Sequence, residues 1–389
     1  MLRILLLIIG FIVIVGFAAP RLLGIDQLGS MIWFATNSTP PTPKLVGPPG
    51  VARGVVMVKV EGVDPGRAEV VQAQVDGAEL AADLSWNLDT RTMPDGEHRI
   101  EVLVHDRSLR KNSASAEMVL RTDNTIPDMQ VELRPAAPTE GRVLVLRVRT
   151  LEPVTVSGEL NGRPLAIEPG SEFSWAVTGF PPEPTETTIA ISLVATDEAG
   201  NTGTWDQTFD IVRTKYPLEH VDLPEEYEAR LDPDVRAQED AMLKEYYQQV
   251  NGPPRWHGVF AQPAPGIVTT IFGIARTYNQ HDYVVHHGGV DFAAAEGDEV
   301  QASNDGVVVF AGLLELRGNT VIVDHGAGVY STYAHMSEIL TTTGAEVRKG
   351  EAVGLVGGTG LSTGPHMHWE IWAGGANVDP MEWTQREMP

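Results

Sequence analysis

Gly364-Pro365-His366-Met367-His368-Trp369-Glu370-Ile371-Trp372 is the stretch that organises the chain. From His366 onward it alternates as a strand does, because successive side chains of a strand point to opposite faces. His366, His368, Glu370 and Trp372 share one face; Met367, Trp369 and Ile371 share the other and read as core. Two imidazoles two residues apart converge on one groove. Upstream, His286-His287-Gly288-Gly289-Val290-Asp291-Phe292 sets an imidazole and a carboxylate on either side of a Gly-Gly pair, which is expected to fold tightly. His287 and Asp291 can then point at one ion. With one imidazole of the His366/His368 pair they make the three protein ligands of a catalytic zinc site. The other imidazole and His335, in Tyr333-Ala334-His335-Met336, are left beside the open position. There they can take a proton and steady a tetrahedral oxyanion.

The composition agrees with a folded, turn-rich chain. Of 389 residues, 42% are hydrophobic and 21% charged, with 39 Gly and 27 Pro, so short strands are expected over long helices. The length suggests two or three domains. A formal charge of −24 disfavours nucleic acid as a partner, because it repels phosphate. The absence of Cys excludes disulfides, thiolate metal sites and thiol nucleophiles, so any metal must sit on His, Asp or Glu. Seven of the eleven His lie between His281 and His368. No GxSxG nucleophile motif is present, which leaves an acyl-enzyme route unsupported.

At the N-terminus, Ile4 to Ala19 is an uncharged apolar run flanked by Arg3 and Arg21. Residues 1–25 are read as a transmembrane anchor, the basic residues snorkelling to the interfaces, or as a signal peptide cut near Gly16-Phe17-Ala18. Pro20 makes that cut poor and favours the anchor. The anchor reading gives a single-pass protein of the cell membrane with its bulk extracytoplasmic, on the periplasm or cell-wall side; a cleaved leader would make it secreted. Residues 26–50 are expected to be a Pro-rich spacer, on the strength of NSTPPTPKLVGPPG at 37–50.

Residues 51–213 carry a weak repeat. Leu84-Ser85-Trp86-Asn87-Leu88 matches Phe173-Ser174-Trp175-Ala176-Val177, and Val75-Asp76-Gly77 matches Leu160-Asn161-Gly162. Asp-Gly and Asn-Gly between apolar alternations signal hairpins, and strand-like runs recur about every ten residues. Two β-sandwiches follow, 51–125 and 126–213, loosely resembling bacterial immunoglobulin-like repeats. Trp86 and Trp175 read as core anchors, and His98 and His105 as surface residues. Residues 214–262 form a connector. Its helix spans about 233–250, capped by Asp232-Pro233-Asp234, with Val235, Met242, Leu243, Tyr246 and Val250 as its apolar positions.

The pattern of His287-x-x-x-Asp291, Tyr333-x-His335 and His366-x-His368 after Gly-Pro resembles the M23 zinc metallopeptidases of the lysostaphin or LytM type. Supporting motifs occur in order. They are Phe272-Gly273-Ile274-Ala275-Arg276 (one residue longer than the family's FGxR), Asp305-Gly306 to Ala311-Gly312, Gly318-Asn319 to His325-Gly326, and Gly357-Gly358-Thr359 to His366. The resemblance covers about 263–389. It implies a compact antiparallel β domain with an open groove and one Zn2+ at its floor. His287, Asp291 and His368 would be the metal ligands, and His335 and His366 the non-ligand catalytic histidines. It also implies amide hydrolysis in peptidoglycan peptides. His325 reads as structural, and His281 and His286 as flanking the site. A non-hydrolytic scaffold or activator of another wall hydrolase is the alternative, since some members have lost zinc ligands. The fold class expected is therefore mainly β: an N-terminal membrane helix, two Ig-like sandwiches, a helical connector and a C-terminal metallopeptidase domain.

Overall fold

The computed structural model describes residues 25–389. The run 4–19, and the anchor and signal-peptide readings with it, lie outside the described residues. Among the described residues no helix is long and apolar enough to cross a membrane. The chain is mainly β and divides into two units.

In the first unit, Met1–Ile126 with Asp197–Asn201, a three-stranded and a five-stranded sheet share one core containing Leu45, Val58, Val60, Trp86, Ile100, Val104 and Leu120. Two expectations need correction here. The span 26–50 is not a uniform spacer: Ile25–Thr36 is an α-helix, and Lys44–Val46 is an edge strand paired with Val55–Glu61. The first proline of the Pro-rich stretch is Pro40, and edge strands tolerate proline nearby because only one side of the backbone is paired. His98 is not at the surface. It lies in phase with Ile100, Val102 and Val104 on strand Gly96–Asp106 and is 5% exposed. Its Nδ1 is 2.6 Å from Asp76 Oδ2 and its Nε2 2.8 Å from the Pro94 carbonyl, and the Asp76 hydrogen bond raises its pKa. His105, on the opposite face, is half-buried. Asp76 and Gly77 both take positive φ in a two-residue hairpin turn, as Asn161 and Gly162 do in the second unit.

The second unit, Pro127–Thr196 with Thr202–Pro389, begins with another pair of sheets around Leu144, Leu146, Ala176, Ile189, Ile191 and Leu193. Strand Val143–Thr150 is apolar on both faces, VLVLRV, for a reason its period does not reveal. Leu144 and Leu146 enter the local core, while Val143 and Val145, with Trp175 and Val177, enter the core of the C-terminal domain. Arg142 reaches Asp379 and Glu382 at 3.2 and 3.1 Å, and Glu382 accepts from the Val143 amide at 3.0 Å.

The C-terminal domain is built on an eight-stranded sheet in which Met367–Ala373 is an interior strand. Val290–Phe292 flanks this strand on one side and Val329–Met336 on the other. Met367, Trp369 and Ile371 are fully buried with Phe292, Val321 and Tyr333. The connector helix runs from Pro233 to Tyr247, with the Asp232 carboxylate accepting from the Asp234 amide at 2.9 Å. Its buried face is Glu239, Leu243 and Tyr247, four residues apart; Met242 and Val250, expected to be apolar contacts, are exposed. Tyr247 stacks on Trp372 at 4.0 Å and 8° and shares a 2.6 Å hydrogen bond with Thr332 Oγ1. Apolar spacing alone misplaces this face because one of its three positions is a carboxylate.

Candidate metal centre

Three neighbouring backbone segments assemble the centre. Asp291 and His368 are directly paired across adjacent strands, and His368 faces Ala334 on its other side, next to His335. His287 follows the short strand Val285–His286. The Gly-Gly pair works by close approach and not by a left-handed turn: a Cβ on Gly289 would lie 2.3 Å from the Trp369 carbonyl oxygen.

At His287 the hydrogen bonds fix which nitrogen carries the proton. His287 Nδ1 lies 3.0 Å from the Ile271 carbonyl, which can only accept, so Nε2 holds the lone pair. His368 Nε2 lies 3.1 Å from Glu370 Oε1, leaving Nδ1 facing inward. These two atoms and Asp291 Oδ1 form a triangle with sides of 3.0, 3.0 and 2.8 Å. The three residues are buried. Two imidazole nitrogens and a carboxylate oxygen this close form a donor set that could hold a metal ion. Burial opposes a charge on His368, yet hydrogen bonds to Asp291 and Glu370 prevail and lift it to about 9. Burial likewise opposes ionisation of Asp291, but His287 and His368 hold its carboxyl well below the usual range. Ligands about 2.0–2.2 Å from one ion stand roughly 3.3–3.5 Å apart, so the triangle fits a metal ion after opening by about half an ångström.

The two other histidines stand beside this triangle. His335 Nδ1 donates to the Thr359 carbonyl at 2.8 Å and His366 Nδ1 to the Gly364 carbonyl at 2.9 Å, so each keeps a free lone pair at Nε2. Their rings are 4.8 Å apart, and His366 Nε2 is 3.7 Å from Asp291 Oδ1. Burial, aided by His368 and His366, pushes His335 down to about 3, which keeps it neutral. His335 has φ of 62°, a conformation that costs free energy in a residue with a side chain. It sits in a bulge that Asn319 closes by donating to the Met336 and Ser337 carbonyls at 3.0 and 3.2 Å.

Tyr333 and His325 are held in the core, and His281 and His286 are held by hydrogen bonds outside the ligand triangle, His286 on the groove wall. Tyr333 OH is bound by Ser303 and Ser331 in the core, and His325 bridges the Asp305 carbonyl and Ser331 Oγ. His281 pairs with Glu228, and His286 with the Gly273 carbonyl and Glu183. The sequence does not single out Arg317, Glu239 or the part played by Glu370. Arg317 Nε is 3.0 Å from Glu370 Oε1, and its Nη1 is 2.9 Å from Glu239 and 3.2 Å from Asp240. Glu370 is visible in the sequence as the residue in phase with His368; Arg317 carries no signal at all. Arg276 Nη2 stands 3.9 Å from Asp291 Oδ2, and its Nε 3.0 Å from Glu219. The centre opens into a groove of about 710 Å³, one wall of which is the connector, including Arg236, Asp240 and Lys244.

The model of Peptidase family M23 matches residues 285–380. Over 95 residues the chain is 46% identical to the DD-carboxypeptidase/endopeptidase Mpg of Neisseria meningitidis serogroup B, covering 24% of this chain and 22% of that protein. Over 115 residues it is 41% identical to the peptidoglycan DD-endopeptidase ShyA of Vibrio cholerae, covering 30% and 27%. The chain thus spans only about a quarter of the length of these curated relatives. A solved structure of a peptidase M23 from Pseudomonas aeruginosa aligns at 25% identity and a TM-score of 0.48, covering 64% of this chain and 96% of that one.

Proposed function

Because residues 285–380 form a peptidase family M23 domain, we propose that the chain is a zinc-dependent endopeptidase that hydrolyses peptide cross-links of peptidoglycan. The observation that carries the reading is the triangle of His287 Nε2, Asp291 Oδ1 and His368 Nδ1 with two free imidazole nitrogens beside it. Zinc held by these three residues supplies Lewis acidity toward the scissile carbonyl. His366, on the groove side with its Nε2 lone pair free, takes the proton from the attacking water and returns it to the leaving amine. His335, buried and neutral with its Nε2 lone pair free, can accept a hydrogen bond from the attacking water and so help to orient it. Arg276 steadies Asp291 from behind. The two relatives are named for D,D-bond cleavage, so the D,D cross-link is the bond assigned here.

The same proposal keeps the bulk of the chain extracytoplasmic, tethered through the apolar run 4–19, with the two Ig-like sandwich modules as a stalk. The test is mass spectrometry of fragments released from purified peptidoglycan by the zinc-loaded full chain, with His366→Ala as control. New D-alanine termini released by wild type alone support the proposal. Intact cross-links after digestion with zinc bound overturn it.

A further inference from the structure

We infer that the connector helix Pro233–Tyr247 is a working part of the metal centre, positioning His368 through a buried chain Glu239–Arg317–Glu370. The inference rests on the reading that the triangle holds zinc. Each link is direct. Glu239 is 7% exposed although it stands on a helix in a connector. Its Oε2 accepts from the Leu316 amide at 2.8 Å and its Oε1 from Arg317 Nη1 at 2.9 Å. Arg317 Nε then donates to Glu370 Oε1 at 3.0 Å, and the same oxygen accepts from His368 Nε2 at 3.1 Å. Trp372 Nε1 donates to the other Glu370 oxygen at 2.7 Å. Glu370 therefore cannot rotate, and the His368 tautomer and ring orientation are set by groups lying outside the ligand triangle. A carboxylate behind a ligating imidazole is the usual means of fixing both.

Stability alone accounts poorly for this arrangement. A buried ion network recovers little beyond its desolvation cost, and apolar residues of the same volume serve stability as well. What the network adds is direction. A guanidinium binds carboxylates as a planar fork, so Glu239 and Asp240 together fix the plane from which Nε reaches Glu370. The Arg317 backbone serves the second histidine too, since its carbonyl accepts from the His335 amide at 2.8 Å. Ahead of the helix, Arg230 binds Glu315 at 2.9 Å and the Gly360 carbonyl at 3.0 Å, clamping the loop ends around Leu316 and Leu361. The connector thus holds the segment that aims both histidines.

The experiment compares zinc affinity in the folded full chain, by competition with a chromophoric chelator, and the visible spectrum of the cobalt-substituted protein. Glu239→Gln keeps an acceptor for the Leu316 amide and removes the negative charge that faces Arg317. Second-layer partners of metal ligands are commonly worth 10–100-fold in affinity. One link further out, Glu239→Gln is expected to weaken zinc about three- to tenfold and to alter the cobalt spectrum, while the metal-free melting temperature holds. Where Glu239→Gln does not fold, Asp240→Asn, at the exposed end of the same fork, replaces it, with about a twofold loss expected. Wild-type affinity and an unchanged spectrum in the folded variant overturn the positioning role. Failure of the wild-type chain to bind zinc at all overturns the metal reading itself.

Discussion

Replacing Tyr247 with alanine should detach the connector helix from the sheet. The ring is 1% exposed, lies flat on Trp372 at 4.0 Å, meets Tyr330 edge-on at 5.8 Å, and shares a hydrogen bond with the buried Thr332 hydroxyl. Truncating a buried aromatic residue to alanine costs about 3–5 kcal/mol. Tyr247→Phe keeps the ring and loses the hydroxyl, leaving Thr332 without its partner; that costs about 1–2 kcal/mol. Tyr246→Ala is the control, because Tyr246 is half-buried and touches Phe310 edge-on at 6.0 Å. For a unit of this size each kcal/mol lowers the melting temperature by roughly 2–4 °C, so Tyr247→Ala should fall by about 6–20 °C. Scanning calorimetry of the full chain measures the shift, and amide exchange over 233–247 shows whether the helix is what loosens. A Tyr247→Ala midpoint no lower than that of Tyr246→Ala would refute the assignment of the buried face.

Three further outcomes can be measured. His325 is buried neutral, its pKa pushed down to about 4 from the ordinary 6.5 by desolvation. The unfolded chain therefore takes up a proton first as pH falls, and about 3 kcal/mol of stability is lost between pH 6.5 and 4. A His325→Asn chain should lack that part of the slope in denaturant titrations. Glu382→Ala removes the acceptor of the Val143 amide and a partner of Arg142. A loss of about 1–3 kcal/mol is expected, read as a lower denaturant midpoint; no change would show that this contact does not secure the strand. Arg236 faces the groove from the connector. Arg236→Ala should raise KM severalfold for a carboxylate-bearing stem peptide and leave kcat in place, and an equal effect on the amidated peptide would argue against a charge contact.

Residue type and strand phase single out His287, Asp291 and the His366/His368 pair in the amino-acid sequence, while the division into three ligands and two non-ligand histidines, His335 included, is what the resemblance to the M23 metallopeptidases implies. The Asp232 cap and the Asp-Gly and Asn-Gly turns are equally legible, since backbone geometry there depends on adjacent residues alone. His98 escapes such a reading even though it alternates in step with Ile100 and Val102; its polar side chain hides a buried position that Asp76 and the Pro94 carbonyl satisfy. The helix face escapes it for the same reason at Glu239.

What tertiary structure alone decides are the pairings across long separations. Glu239 meets Arg317, Arg142 meets Glu382, and Val143, Val145, Trp175 and Val177 enter a core whose remaining buried members lie beyond residue 250. Local spacing encodes which way a side chain points within its own element. It does not encode which element packs against that face. That choice is made by shape and by the need of each buried charge for a partner, and only the assembled fold supplies it.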